Sequence, residues 1–333
     1  MYYDRLKRPW LDDRDGLLLL LFSRLELLLQ VDLPVDGVAL IKDGYRDPVY
    51  VFIKNEPHKA EKLETGRLRL ISSVSLLDSL VERVLFSWQN KKEVALWEYL
   101  PFKPGMGHHD EGKQKLYSYF CKCQAEGPIA STDISGWDWS VRQWLMDAER
   151  DYRLLTGSET GGWAQLVRGY FHCNARCVFT TGDGICFEQK GGIQKSGSYI
   201  TSSGNSHMRY VLASIVQRRL GSPRTRYNGC QMGDDALERY VDGMLEEYKR
   251  FGFQARGVAE QQLGEFEFCS HSYKSWKGEP TSWKKTIFRH LAKDPGSKEY
   301  PAWREQLEYE LRHSPILGEV LSRVDQYMER KTR

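Results

Sequence analysis

The chain has 333 residues, with 48 Lys and Arg against 45 Asp and Glu for a net charge of +3, and is 41% hydrophobic and 12% aromatic. That much apolar and aromatic surface offsets chain entropy and excludes a disordered polypeptide. The absence of any run of about 18 apolar residues excludes a membrane-spanning helix. Met1-Tyr2-Tyr3-Asp4-Arg5 lacks the charged-then-apolar order of a signal peptide. Seven cysteines, an odd number in a chain long enough to build its own core, point to a reduced, intracellular protein.

In chain order, residues 12–30 read as a leucine-rich buried helix ended by Pro34 and Gly37. Residues 48–53 (Pro-Val-Tyr-Val-Phe-Ile) and 69–72 read as strands on either side of a basic stretch. Residues 76–88 are amphipathic, with Leu77, Leu80, Val81, Val84 and Leu85 on one helical face. Residues 101–107 form a loop, and residues 128–133 a short apolar strand that delivers Asp133 at its end. A helix over 140–155, stopped by Gly157, precedes a hairpin over 176–188 that turns through Thr181-Gly-Asp-Gly184. A long helix over 202–220 leads to a second hairpin, 226–238, with Gly233-Asp234-Asp235 at its turn. A helix over 241–251 follows, and the chain from Ser282 is mostly helical. No repeat or long linker separates these elements, so the lobes must interleave in an α+β order.

The weak net charge hides a strong pattern. Lys54, Lys59, Lys62, Arg67 and Arg69 share one window, and Arg209, Arg218, Arg219, Arg224 and Arg226 share an acid-free one. Lys274, Lys277, Lys284, Lys285 and Arg289 are interleaved with Tyr273, Trp276 and Trp283. Such mixtures suit a polyanion with stackable bases. Carboxylates concentrate instead at Asp133/Asp138 and Asp234/Asp235. Two adjacent carboxylates at a hairpin tip do not readily ionise together without a cation. If Asp133 ends a strand beside that hairpin, it and Asp234 can share divalent ions about 3.5–4 Å apart. Asp138 either caps the following helix or faces a substrate. Thr201 and Asn205 stand at i and i+4, on one face of the helix that follows the Ser196-Gly197 turn. Cys121-Lys-Cys123 and His172-Cys173-x3-Cys177 match no common zinc module and read as buried thiols, and His108-His109 as a solvated loop.

Asp-x4-Asp, Ser-Gly-x3-Thr-x3-Asn and Gly-Asp-Asp, in that order, resemble motifs A, B and C of viral RNA-dependent RNA polymerases. The stretch from Lys54 to Arg69 resembles motif F, and Glu267-Phe-Cys-Ser-His271 resembles motif E. The wording "Asp-Ile-Ser-Gly-Trp-Asp-Trp-Ser-Val", "Gln-Lys-Ser-Gly-Ser-Tyr" and "Met-Gly-Asp-Asp-Ala-Leu-Glu" is most similar to the sobemovirus and polerovirus group. The resemblance covers residues 51–273.

It implies an α+β right-hand polymerase with fingers, an RRM-like antiparallel palm and a small helical thumb. The implied division is 1–127 for the N-terminal region and fingers, 128–156 for palm motif A, 157–193 for a fingers insertion, 194–275 for motifs B to E and 276–333 for the thumb. Asp133, Asp234 and Asp235 would be the catalytic metal ligands for two Mg²⁺ (or Mn²⁺) ions. Asp138 and Asn205 would hold the ribose 2′-hydroxyl, and Ser196, Gly197 and Thr201 would line the same pocket. Arg69 would clamp the triphosphate, with Lys54, Lys62 and Arg67 on the NTP access path. Template and product RNA, NTPs and a small genome-linked protein primer are the implied partners. Host cytoplasm, in membrane-associated replication complexes, is the implied location.

In the motif D region, Lys249 stands early and Arg256 is not an equivalent acid. In motif B, Ile200 and Gly204 replace residues that are usually polar, which predicts an altered pocket shape. The 53 residues before Lys54 and the roughly 60 after motif E predict a reduced fingertip region and a comparatively open cleft. A reverse transcriptase shares the palm but places a bulky side chain where Asp138 stands and an aromatic before the paired aspartates, where Met232-Gly233 stands here. An RNA-binding scaffold without activity would not need the full carboxylate set.

Overall fold

The computed structural model describes residues 13–332 except 31, 59, 224 and 258–262. The N-terminal residues read above for a signal peptide, Lys59 and Arg224 lie outside the described residues. In chain order the elements are α1 (Arg14–Leu28), α2 (Gly37–Lys42), β1 (Val49–Ile53), α3 (Ala60–Glu64), β2 (Leu70–Ser73), α4 (Leu76–Leu96), α5 (Asp110–Ala125), β3 (Ile129–Ile134), α6 (Trp137–Ser140), α7 (Gln143–Thr156), α8 (Gly161–Asn174), β4 (Val178–Thr181) and β5 (Cys186–Glu188). They continue with α9 (Thr201–Arg219), β6 (Gly229–Met232), β7 (Asp235–Arg239), α10 (Met244–Arg250), β8 (Ala255–Arg256), β9 (Phe266–Phe268), β10 (His271–Tyr273), β11 (Glu279–Pro280), α11 (Trp283–Leu291), α12 (Tyr300–Leu311) and α13 (Leu317–Thr332).

Local chemistry sets the helix starts. Asp13 accepts from the Gly16 amide at 2.9 Å, and Ser75 Oγ accepts from the Asp78 amide at 3.0 Å. Asp36 caps in the same way, so Gly37 opens α2 rather than merely ending the segment before it. The predicted helix over 76–88 runs on to Leu96, because Gln89 and Glu93 stay on its buried face and bond to α7. Two long helices, α5 and α8, and the short α2, α3 and α6 have no counterpart in the sequence reading.

Three sheets result. β2-β1-β4-β5 contains antiparallel pairs and one parallel pair, β1 with β4. The central sheet, β6-β7-β3-β8, is antiparallel throughout, and β3 lies inside it, buried except at Ser131 and Asp133. The third sheet, β11-β10-β9, packs its β9 against β3 and β7. One face of the central sheet rests on α5, where Leu116, Tyr119, Phe120 and Cys123 meet Ile129, Cys230, Leu237 and Phe266. Around the other side a larger core joins α1, α4, α7, α8, α9 and α10. Helix α1 is not the buried helix expected from its leucines, since only Leu21, Arg24 and Leu28 are buried and Leu18, Leu19, Leu20 and Phe22 lie on its exposed face. The C-terminal helices pack Leu307, Leu311, Val324 and Met328 into a core of their own. Among the described residues no helix is long and apolar enough to cross a membrane.

Candidate active site

Asp133 and Asp234 reach one centre from opposite directions along the central sheet. Asp133 is the penultimate residue of β3, exposed on a strand whose neighbours are buried, and lies in register with Arg256 of β8. Next in the sheet, β6 and β7 form a hairpin closed by Met232 opposite Asp235, leaving Gly233 and Asp234 as a two-residue loop. Gly233 has φ 67°, and nothing within 4 Å would obstruct a Cβ there. The loop needs glycine for backbone conformation rather than for space. Its amide donates to Ser206 Oγ of α9 at 2.8 Å, fixing the hairpin tip to the motif B helix.

The three acids repel one another. Surrounding protein displaces water from Asp234 and pushes its carboxyl above the usual range, and the Asp133 charge adds to this while Arg69 and Arg209 oppose it. Asp235 is pushed up to about 6, first by burial and then by Asp234 and Asp133, against a hydrogen bond from the Cys269 thiol. Hard carboxylate oxygens held in mutual repulsion fit a divalent oxygen-loving cation. Among the described residues no three His, Cys, Asp or Glu side chains close a ready cage.

Asp138 follows β3 through a left-handed Gly136, φ 62°, that swings the chain into the short α6. Asn205 Nδ2 donates to Asp138 Oδ1 at 3.0 Å, and Asn205 Oδ1 is buried without a partner. Burial raises the Asp138 carboxyl; Asn205 opposes the shift, the Asp234 charge adds to it and Arg69 opposes it. Asn205 on Asp138 and Ser206 on the Gly233 amide are adjacent residues of α9, which brings the end of β3, α9 and the β6–β7 hairpin tip to one place.

The other expected residues are placed differently. Ser196 Oγ accepts from the Ser72 amide at 3.0 Å and the Gly197 amide donates to Ser72 O at 2.9 Å, so this turn docks on the edge of β2. A Cβ on Gly197 would meet that carbonyl at 2.6 Å, so the close approach the glycine permits is to the protein's own backbone. Thr201 Oγ1 is shared between the carbonyls of Lys195 at 2.7 Å and Ser198 at 2.8 Å and braces the same turn. Lys54 lies 3.4 Å from Glu56. Lys62 and Arg67 are exposed, Arg67 is bound to Glu61 and Thr65, and neither is among the charges acting on Asp138, Asp234 or Asp235. Lys249 is exposed in the last turn of α10. Gly204 makes room for Glu149, whose Oε1 would stand 3.3 Å from a Cβ there. Cys121 is exposed rather than buried, whereas Cys123, Cys173 and Cys177 are buried thiols. His108 is not simply solvated, since its ring stacks on His271 at 4.6 Å.

Sequence reasoning missed the buried supports. Arg209 on α9 donates to Glu238 at 2.7 Å, to Tyr248 OH at 2.7 Å and to Thr132 Oγ1 at 2.5 Å, tying together the strands and helices behind the aspartates. His207 Nδ1 donates to Glu149 at 2.8 Å, and Arg153 Nε donates to the same carboxylate at 2.8 Å. At the tip of the β9–β10 hairpin, Cys269 and Ser270 hold φ 48° and 58°, values unusual for non-glycine residues, and this conformation delivers the thiol to Asp235.

An antiparallel sheet that brings acids at a strand end and at a hairpin tip together fits the palm of a right-hand nucleic-acid polymerase. The fold resembles the crystal structure of an insertion-loop deletion mutant of the RNA-dependent RNA polymerase of a human picorbirnavirus, with a TM-score of 0.64 at 15% identity over 84% of this chain and 57% of that one. The chain belongs to the family described as viral RNA-directed RNA-polymerase, which matches residues 21–275. It is 40% identical over 284 residues to the RNA-directed RNA polymerase of mushroom bacilliform virus, covering 83% of this chain and 67% of that protein. It is also 40% identical over 305 residues to the replicase polyprotein P2AB of Southern bean mosaic virus, and 35% identical over 339 residues to protein P1-P2 of turnip yellows virus. These alignments cover 89% and 94% of this chain but only 30% and 31% of the two longer relatives.

Proposed function

We propose that this chain catalyses template-directed RNA synthesis from NTPs in the replication of a positive-strand RNA virus. The observation that carries the reading is that consecutive residues of α9 hold both aspartate blocks, Asn205 donating to Asp138 at 3.0 Å and Ser206 accepting from the Gly233 amide at 2.8 Å, with the Arg69 charge acting on Asp138 and Asp234 as well. A sugar-reading pair, a metal-binding acid and a phosphate-binding guanidinium then face one bound nucleotide.

In this reading Asp133 and Asp234, assisted by Asp235, hold two Mg²⁺ or Mn²⁺ ions. When bound, these supply Lewis-acid activation of a 3′-hydroxyl and charge neutralisation on the phosphates. The bond formed joins that hydroxyl oxygen to the α-phosphorus, and the bond broken releases pyrophosphate. Asp138 accepts from the ribose 2′-hydroxyl, while the unpartnered Asn205 Oδ1 offers a second acceptor. Arg69 orients the triphosphate through its planar fork, and Lys54 adds a compact charge beside it. Ser196, Gly197 and Thr201 shape the pocket by holding α9 against β2, and Lys62 and Arg67 meet nucleotides earlier on their path. The sheet β2-β1-β4-β5 with its helices serves as fingers, the central sheet with β9 and β10 as palm, and α11 to α13 as thumb. RNA template and product lie between them, in host cytoplasmic replication complexes, with a genome-linked protein as a candidate primer.

Primer extension on a poly(A) template tests the reading. UTP should be incorporated by the intact chain and not by Asp234→Ala, while equal use of dTTP would refute the ribonucleotide assignment.

A further inference from the structure

Glu56 lies among four cations drawn from two lobes of the molecule. Lys54 stands 3.4 Å and Arg69 3.8 Å from its carboxylate on the strand-flanked basic loop, and Lys285 stands 3.2 Å and Arg289 3.5 Å from it on α11. This joint ties the basic loop to the C-terminal helices. One carboxylate balances one of the four charges. Its side chain is only 8% exposed, whereas those of Lys285 and Arg289 are 37% and 52% exposed. The anion is therefore covered, and the surplus positive charge faces solvent. Burial works against ionisation of Glu56, yet Lys285 and Lys54 overcome it and hold the carboxyl below its usual range. Arg69, 3.8 Å from Glu56, is the residue proposed above to orient the triphosphate, and on that reading the surplus charge adjoins the place where a triphosphate would lie.

We infer that Lys285 and Arg289 of α11, together with Lys54 and Arg69, form a polyphosphate port that binds the triphosphate of the arriving NTP and the departing pyrophosphate, with Glu56 as an internal anion that competes with the ligand for their charge. The inference rests on the NTP-binding role proposed above for Arg69 and Lys54 and extends it to a helix that none of the motifs contains. A compact ligand with three or four negative charges matches the surplus left after Glu56 is counted. Arginine offers paired donors to phosphate oxygens and lysine a point charge. The port also gives the C-terminal helices a direct stake in nucleotide binding, because the ligand would touch both lobes.

The test uses the whole chain with a primed RNA template. Lys285→Ala/Arg289→Ala removes two well-exposed side chains and should raise both the KM for NTP and the inhibition constant of inorganic pyrophosphate about tenfold, the scale of losing charge-assisted hydrogen bonds, with kcat and RNA affinity changed less than about twofold. Glu56→Gln should act in the opposite direction and strengthen pyrophosphate inhibition, because it removes the one competing anion. A loss of RNA affinity with unchanged NTP and pyrophosphate constants would assign the α11 cations to RNA and overturn the port. Weaker pyrophosphate inhibition in Glu56→Gln would overturn it too, as the mark of a purely structural joint. Failure of the unaltered chain to make RNA would count against the polymerase reading instead. Calorimetric titration of pyrophosphate into the intact and doubly substituted proteins would still decide the port, which stands only if the double variant loses binding.

Discussion

The Asn205 amide donates to the Asp138 carboxylate across two elements that are 67 positions apart in the chain. The bond uses the nitrogen of Asn205 and leaves its carbonyl oxygen buried and unpartnered. A site arranged this way presents acceptors to a hydroxyl, and a substrate that lacks the hydroxyl leaves them unsatisfied.

Asn205→Ala should therefore lower the preference for NTP over dNTP by about 10- to 100-fold, the scale of one hydrogen bond to a charged group. Most of the change should come from slower NTP use, because dNTP never makes the contact. Single-nucleotide incorporation of UTP and dTTP by the two proteins measures the ratio. An unchanged ratio would remove Asn205 from sugar selection.

Asp133→Asn and Asp234→Asn should each reduce nucleotide incorporation by about 10²–10³-fold or more, as expected when a group that organises transition-state charge is lost. RNA affinity measured at fixed salt should hold or rise slightly, because each change removes a negative charge from a site that faces phosphates.

Asp235 gives the site a pH dependence whose sign is fixed. Its folded carboxyl titrates at about 6, above the ordinary 3.8. The folded protein therefore binds this proton more tightly than the unfolded chain does. The group's contribution to stability is fully present below about pH 3.8 and is lost as pH rises through about 6. A divalent cation competes for the ionised form. Mg²⁺ should thus raise the melting temperature more at pH 7.5 than at pH 5, and incorporation should fall as pH drops through about 6. Thermal unfolding with and without MgCl₂ at the two pH values checks the first claim. Equal shifts would argue against metal binding at this acid.

The Arg209–Glu238 pair is wholly buried. Arg209→Met should destabilise the protein by about 3–5 kcal/mol, since it strands the Glu238 charge in the core. Adding Glu238→Leu should recover part of that loss. Urea unfolding of the single and double variants reads both effects.

The residues proposed to face substrate were legible because chemistry constrains their type and local spacing. Asp133, Asp138, Asn205 and Asp234 could be picked out without coordinates. Their supports could not. Arg209 meets Glu238 across 29 positions and His207 meets Glu149 across 58, and nothing in either neighbourhood marks the partner. Ser196, Gly197 and Thr201 are assigned to the ligand by their motif, whereas in the structure their hydrogen bonds run to the protein's own backbone. The two long helices absent from the sequence reading are a different matter. In α5, Leu116, Tyr119, Phe120 and Cys123 already stand at i, i+3, i+4 and i+7, so the signal was present amid charged neighbours. The unequal sharing of Glu56 by four cations was invisible, since α11 reaches it from the far end of the chain.

The parallel pairing of β1 with β4 has a consequence for biosynthesis. As the ribosome delivers the chain, β1 and β2 can form a hairpin at once, but the second edge of β1 must wait until residues near 180 have emerged. Gly37 waits as long for Glu188, which lies 151 positions away. By then β3 is already outside the tunnel, although its partner β7 is still unmade. Two open strand edges therefore coexist in the nascent polypeptide, each an invitation to mispairing. The non-local contacts that make the finished molecule interlocked also make its assembly slow, and its yield in a cell sensitive to whatever shields those edges in the interval.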